Sequence, residues 1–270
     1  MKDLLTRSIT GILYVFLLLS AVFLSSDAFD FLFLSFGLIC IYEFKKLIKL
    51  SGYYIFIAFL LVWWLFVHLV QGEAAVFFLL LLTLIINLFL IALLFSGKKL
   101  KIQRNLHKFI ITLFYIGAGC IFLTMIPYHN HNTPFAKFII IGIFILVWVN
   151  DSFAYLVGRS MGRTKLLASV SPNKTVEGFI GGLIFSLIAA YIIAMYNHDL
   201  GTTEWMILAL VIVVAGSLGD LIESKFKRLA GVKDSGAILP GHGGLLDRLD
   251  SLIFLAPFTY LTLQLFIYVS

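Results

Sequence analysis

Asp220, Glu223, Ser224 and Lys227 follow one another at i, i+3, i+4 and i+7, the spacing that sets side chains in a row on one helix face. Two carboxylates, a hydroxyl and an ammonium then look the same way, while Leu221, Ile222, Phe226 and Leu229 occupy much of the remaining surface. Gly231, Gly236, Pro240, Gly241, Gly243 and Gly244 break the pattern and let backbone approach a ligand closely. A helix restarts near Leu245, with Asp247 and Asp250 in its first turns and Arg248 between them. Carboxylates at two helix ends, facing a glycine-rich loop, suit a hard cation such as Mg²⁺, and the neighbouring Lys and Arg suit phosphate oxygens. A solvated interhelical loop accounts for the charges but not for so many glycines beside them.

Two further segments carry chemistry. Asp151 lies inside an apolar run, at roughly 10 Å of helix depth from its end, and a carboxylate within a membrane span is costly enough to mark a functional site. Ser171 to Gly178 sets hydroxyls, an amide and Lys174 just before a helix, with Pro172 near its start. Free N–H groups and the dipole at such a helix end favour phosphate. Asp151, Glu177, Asp220, Glu223, Asp234, Asp247 and Asp250 all map to one end of the last four apolar runs, which predicts a single basin. No nucleophile is paired with a base, since His242 sits in the glycine loop and no Ser-His-Asp order is evident. Acids for a divalent ion, several cations and a helix end aimed at anions suit transfer at a phosphoryl group, which depends on positioning and charge neutralisation.

The elements that must position these groups are apolar. The chain is 61% hydrophobic and 13% charged, with a mean hydropathy of +1.05, a composition that excludes an ordinary soluble domain. Nine runs are long enough to cross a hydrocarbon core: roughly 9–25, 28–43, 53–70, 74–95, 109–126, 135–158, 177–196, 204–223 and 250–269. Every Lys and Arg except Lys137 falls in alternate gaps, so the positive-inside rule sets the amino terminus in the cytoplasm and the carboxyl terminus outside. The expected architecture is an all-α polytopic membrane protein of about nine transmembrane helices. It forms one integral membrane unit, with about five spans in 1–130 and about four catalytic spans in 131–270 carrying cytosolic loops 159–176 and 224–249. The net charge of +6 faces anionic headgroups and needs no nucleic-acid partner. Cys40 and Cys120 read as packing residues, and His68 and Asn87 as groups that satisfy helix–helix hydrogen bonds. Gly178, Gly181 and Gly182 give a small-residue face for close helix packing.

Ser224-Lys225-Phe226-Lys227-Arg228, Lys233-Asp234-Ser235-Gly236, Leu239-Pro240-Gly241-His242-Gly243-Gly244 and Asp247-Arg248-Leu249-Asp250 together resemble the signature of the phosphatidate cytidylyltransferases, or CDP-diacylglycerol synthases. Ser171-Pro172-Asn173-Lys174-Thr175-Val176-Glu177-Gly178 is similar to that family's second block. Arg7, Thr10, Gly11 and Glu43 are loosely similar to its amino-terminal region, where an interfacial anchor and a snorkelling carboxylate serve as the simpler reading.

The resemblance implies a Mg²⁺-dependent enzyme that joins CTP and phosphatidic acid into CDP-diacylglycerol and pyrophosphate. It makes Asp220, Asp247, Lys227 and Arg248 catalytic. Metal ligands would be Asp220 and Asp247 first, then Asp151 and Asp250. Lys174, Lys227, Arg228, Lys233 and Arg248 would neutralise phosphates, with Ser171, Ser224, Asp234, His242, Gly243 and Gly244 completing the substrate site. A bacterial inner (plasma) membrane with the site facing the cytoplasm is implied, and a homodimer is compatible. The competing readings are a related CTP-dependent lipid enzyme, such as a polyprenol kinase or an archaeol-type cytidylyltransferase, and an organic-anion transporter.

Overall fold

The computed structural model describes residues 2–70, 72–96, 104–128, 135–197, 199–241 and 243–269. Its helices are α1 (Lys2–Leu24), α2 (Ser26–Leu47), α3 (Tyr54–Trp64), α4 (Glu73–Phe95), α5 (Asn105–Ile111) and α6 (Ala118–Met125). They continue with α7 (Lys137–Met161), α8 (Val176–Tyr196), α9 (Thr202–Ala230) and α10 (Leu246–Val269). A π-type turn at Thr112–Gly117 joins α5 and α6 into one rod, and a second one extends α3 over Leu65–Leu69.

Six helical rods among the described residues are long and apolar enough to cross a membrane: Glu73–Phe95, Asn105–Tyr128, Lys137–Met161, Val176–Tyr196, Thr202–Ala230 and Leu246–Tyr268. Ile9–Leu24 and Tyr54–Leu69 are shorter apolar helices, and α2 carries Asp27, Asp30, Glu43, Lys45 and Lys46 within its length. The protein is therefore a helical, multi-pass membrane protein.

Helices outrun the apolar stretches from which they were expected. α9 runs on to Ala230 and α10 begins at Leu246, because a charged side chain ends an apolar run without interrupting the i to i−4 hydrogen bonds of the backbone. Much of the expected loops 159–176 and 224–249 is thus ordered. The first of them holds a small antiparallel hairpin, β1 (Lys165–Leu167) and β2 (Ser171–Thr175). Pro172 accordingly lies in a strand, and α8 starts only at Val176, with Thr175 Oγ1 accepting a hydrogen bond from Gly178 N at 3.1 Å.

α7 and α8 pack closely, as the glycine face predicts. A Cβ at Gly181 would come 2.6 Å from Val157 Cγ2, and one at Gly182 2.5 Å from Asn150 Oδ1. α10 packs against α9, α6 and α4, and Leu252 to Ala256 are all buried. Cys40 and Cys120 are free and buried, in keeping with packing roles. Asn87 departs from expectation: its amide is buried without a hydrogen-bond partner among the described residues. His68 packs against the rings of Trp63 and Trp64.

Candidate active site

The helix face read from spacing is assembled on α9. Ser224 Oγ donates to Asp220 Oδ1 at 3.2 Å. Lys227 pairs with the fully buried Glu223 one turn earlier and reaches across to α10, donating to Asp247 Oδ1 at 2.7 Å. α9 then stops at Gly231, whose φ of 72° is in the left-handed region. Gly231 N and Val232 N bond back to Arg228 O and Lys227 O at 3.1 and 3.0 Å, the paired ending that turns a chain out of a helix.

The loop that follows is wound around Asp247. Asp247 Oδ2 accepts from Ser235 N and Ser235 Oγ, both at 2.9 Å, and from Gly244 N at 2.8 Å. Leu239 and Gly243 exchange backbone hydrogen bonds of 2.9 and 3.1 Å around a turn. Gly241 and Gly243, with φ of 78° and 88°, take conformations that a side chain would strain. His242 lies outside the described residues. Lys233 and Asp234 are exposed beyond the end of α9.

Lys174 arrives from β2 and pairs with Asp220, each side chain 32% exposed. Ser171 stands at the other end of the same strand, half-buried. The hairpin is tied at both ends. Glu177 accepts from Arg163 N and Thr164 N at 3.0 Å, and Arg228 Nε on α9 donates to Val170 O at 3.4 Å.

Asp151 on α7 is within electrostatic reach of Lys174, Asp220 and Arg248. Asp250 on α10 is within reach of Asp220, Lys227 and Lys174. Asn150 Nδ2 donates to Asp151 Oδ1 at 3.3 Å. α7, the hairpin, α9 and α10 thus bring Asp151, Lys174, Asp220 and Asp250 toward one another. A cavity of about 1200 Å³ lies at the opposite end of the helices, bordered by Asp27, Asp30, Glu73 and Tyr128 among others, and includes none of the residues singled out for chemistry.

No three His, Cys, Asp or Glu side chains among the described residues form a ready metal cage. Lysines instead neutralise the carboxylates, Lys174 on Asp220 and Lys227 on Glu223 and Asp247. The donor set still fits Mg²⁺, which is ordinarily held by one or two carboxylates with substrate phosphates and water completing its shell. Asp220 is open enough to serve. Asp247 already takes four hydrogen bonds, so metal binding there would have to displace donors.

The model of the cytidylyltransferase family matches residues 5–266. The chain belongs to that family. It is similar to the phosphatidate cytidylyltransferase of Staphylococcus saprophyticus, 45% identical over 150 residues that cover 55% of either chain. Against the phosphatidate cytidylyltransferase of Staphylococcus haemolyticus it is 54% identical over 116 residues, 42% of this chain and 44% of the relative. For that of Staphylococcus aureus (strain COL) the figures are 46% over 145 residues and 53% of each. The matched stretch spans about half the length of these curated relatives.

One residue of this cytidylyltransferase-family chain was undervalued by the sequence. Glu43 does not snorkel: it is 3% exposed and accepts from Leu245 N at 3.2 Å, Leu246 N at 2.8 Å and Ser235 Oγ at 3.3 Å. The signals available were a loose similarity to the family's amino-terminal region and an acid close to the end of an apolar run, which a headgroup-facing carboxylate explains equally well. α1 also touches the site region, with Thr10 Oγ1 and Tyr14 OH each 3.4 Å from a carbonyl, of Pro240 and Arg248 respectively.

Proposed function

We propose that the protein transfers the cytidylyl group of CTP to phosphatidic acid, giving CDP-diacylglycerol and pyrophosphate. The observation that carries this reading is the Lys174–Asp220 pair with Asp151 and Asp250 around it. Cations and carboxylates alternate there at the ends of membrane helices, in a chain of the cytidylyltransferase family. A phosphate oxygen of the lipid forms a bond to the α-phosphorus of CTP. The bond from that phosphorus to the bridging oxygen breaks, and pyrophosphate leaves with the electron pair. The lipid phosphate needs no side-chain base, because a phosphate monoester has a second pKa of about 6 and is largely dianionic at cytosolic pH.

Mg²⁺ bound through Asp220, Asp247, Asp151 and Asp250, or a subset of them, would neutralise and align the nucleotide phosphates. Lys174 exchanges its carboxylate for a phosphate oxygen when nucleotide arrives. Arg248 and Lys233 add positive charge along the same edge, while Lys227 and Arg228 hold α9 to its neighbours. Ser171, Ser224 and the backbone of Gly243 and Gly244 border the bound phosphates.

In this reading the nine helical rods among the described residues, the six long apolar ones and the three others, cross a bacterial plasma membrane as one unit, and the site opens to the cytoplasm, where the basic residues gather. Purified protein in detergent, given phosphatidic acid, labelled CTP and Mg²⁺, should yield a lipid-soluble cytidine product that EDTA abolishes. CTP consumption only with a different lipid would redirect the assignment to another CTP-dependent lipid enzyme, and no use of CTP would end it.

A further inference from the structure

We propose that Glu43 is a positioning residue for this reaction: from α2 it holds the loop of residues 235–246 in the shape that presents Asp247, Arg248 and Asp250 to the substrates. The inference rests on the transferase reading above. The first amides of α10 have no carbonyl of their own helix to bond. A helix start is ordinarily capped by a Ser, Thr, Asp or Asn just before it, and here Gly244 and Leu245 stand in those places. The acceptor comes instead from another helix, with Glu43 Oε2 taking Leu246 N at 2.8 Å and Oε1 taking Leu245 N at 3.2 Å. A carboxylate there also complements the helix dipole.

The loop is moulded to this side chain. A Cβ at Gly236 would lie 2.2 Å from Glu43 Oε1, and one at Gly244 2.2 Å from Ser235 Oγ and 2.6 Å from Glu43 Oε2. Two glycines of the signature are thus explained by contact with a residue far from it in sequence. Ser235 connects this contact to the basin, because its hydroxyl stands 3.3 Å from Glu43 Oε2 and 2.9 Å from Asp247 Oδ2. Asp247 in turn accepts from Lys227. Displacing Glu43 shifts Ser235, then Asp247, then the ammonium that joins α9 to α10.

Glu43→Gln preserves the volume but turns an amide N–H₂ toward groups that are themselves donors. The expected result is a fall in kcat on the order of 10- to 100-fold, with KM for CTP changed less than about threefold. Backbone amide exchange over 235–247 in the detergent-solubilised protein should rise about tenfold, with other helices unchanged. Gly236→Ala presses on the same carboxylate from the loop side and should reproduce both changes if the Gln variant does not fold, while Glu43→Asp should restore part of each. Unaltered loop exchange in these variants, or reduced thermal stability with kcat intact, would overturn the proposal. If the unaltered protein makes no CDP-diacylglycerol, the transferase reading fails by itself, and the exchange data still decide whether Glu43 holds the loop.

Discussion

Lys227 is shared between two helices, pairing with Glu223 on α9 and donating to Asp247 Oδ1 on α10 at 2.7 Å. Glu223 is 0% exposed, so removal of the ammonium leaves an anion where water does not reach it. Lys227→Met should cost about 3–5 kcal/mol of stability, and adding Glu223→Gln should recover much of that loss. Unfolding of the two variants in detergent checks the expectation; equal midpoints for the single and double variants would refute it.

Asp220 and Lys174 should separate by kinetic signature. Asp220→Asn is expected to lower kcat about 100-fold or more with the fold intact. Lys174→Ala should raise KM for CTP roughly 10- to 100-fold, the worth of a charge-assisted phosphate contact. Nucleotide kinetics that ignore Lys174 would remove it from the CTP site.

Glu177 accepts from Arg163 N and Thr164 N, and so fixes the approach to the hairpin rather than meeting substrate itself. Glu177→Ala should release two backbone donors and loosen this segment. Proteolysis between α7 and α8 should quicken accordingly. An unchanged cleavage rate would mean the segment is held by other contacts.

Gly182 faces Asn150 Oδ1, which a Cβ would approach to 2.5 Å. Gly182→Ala should overpack the α7–α8 contact at a cost of about 1–3 kcal/mol and displace the neighbouring Asp151, reducing turnover as well as stability. Gly72→Ala, where a Cβ would meet nothing within 4 Å, is the matched control. Equal behaviour of the two variants would show that α7 and α8 tolerate separation.

Legibility in the sequence followed the range of the interactions. The face of Asp220, Glu223, Ser224 and Lys227 was readable because helix periodicity is local, and the structure joins Ser224 to Asp220 and Glu223 to Lys227 at four-residue spacing. The close approach of α8 to α7 was readable because Gly178, Gly181 and Gly182 leave few other reasons for their spacing. The hairpin was missed because β1 has three residues and carries no alternating pattern strong enough to announce a strand. Pro172, close before an apolar run, reads as a helix start and lies in β2 instead. Glu43 was undervalued because its partners lie more than 190 residues away, and no periodicity spans such a distance. The charge at the end of α2 is visible in the sequence, whereas the direction it faces is decided only by packing.

That distance also orders events during synthesis. The hydrogen bond from Leu246 N to Glu43 Oε2 closes 203 residues of chain, so a nascent polypeptide that has made only α1 to α9 carries Glu43 but not yet the loop it holds. The addition of α10 and the loop before it supplies Asp247 to Lys227 and two backbone donors to Glu43 together. A stalled or truncated chain that lacks this helix would therefore be left with Glu43 and Lys227 each missing partners that α10 and its loop supply.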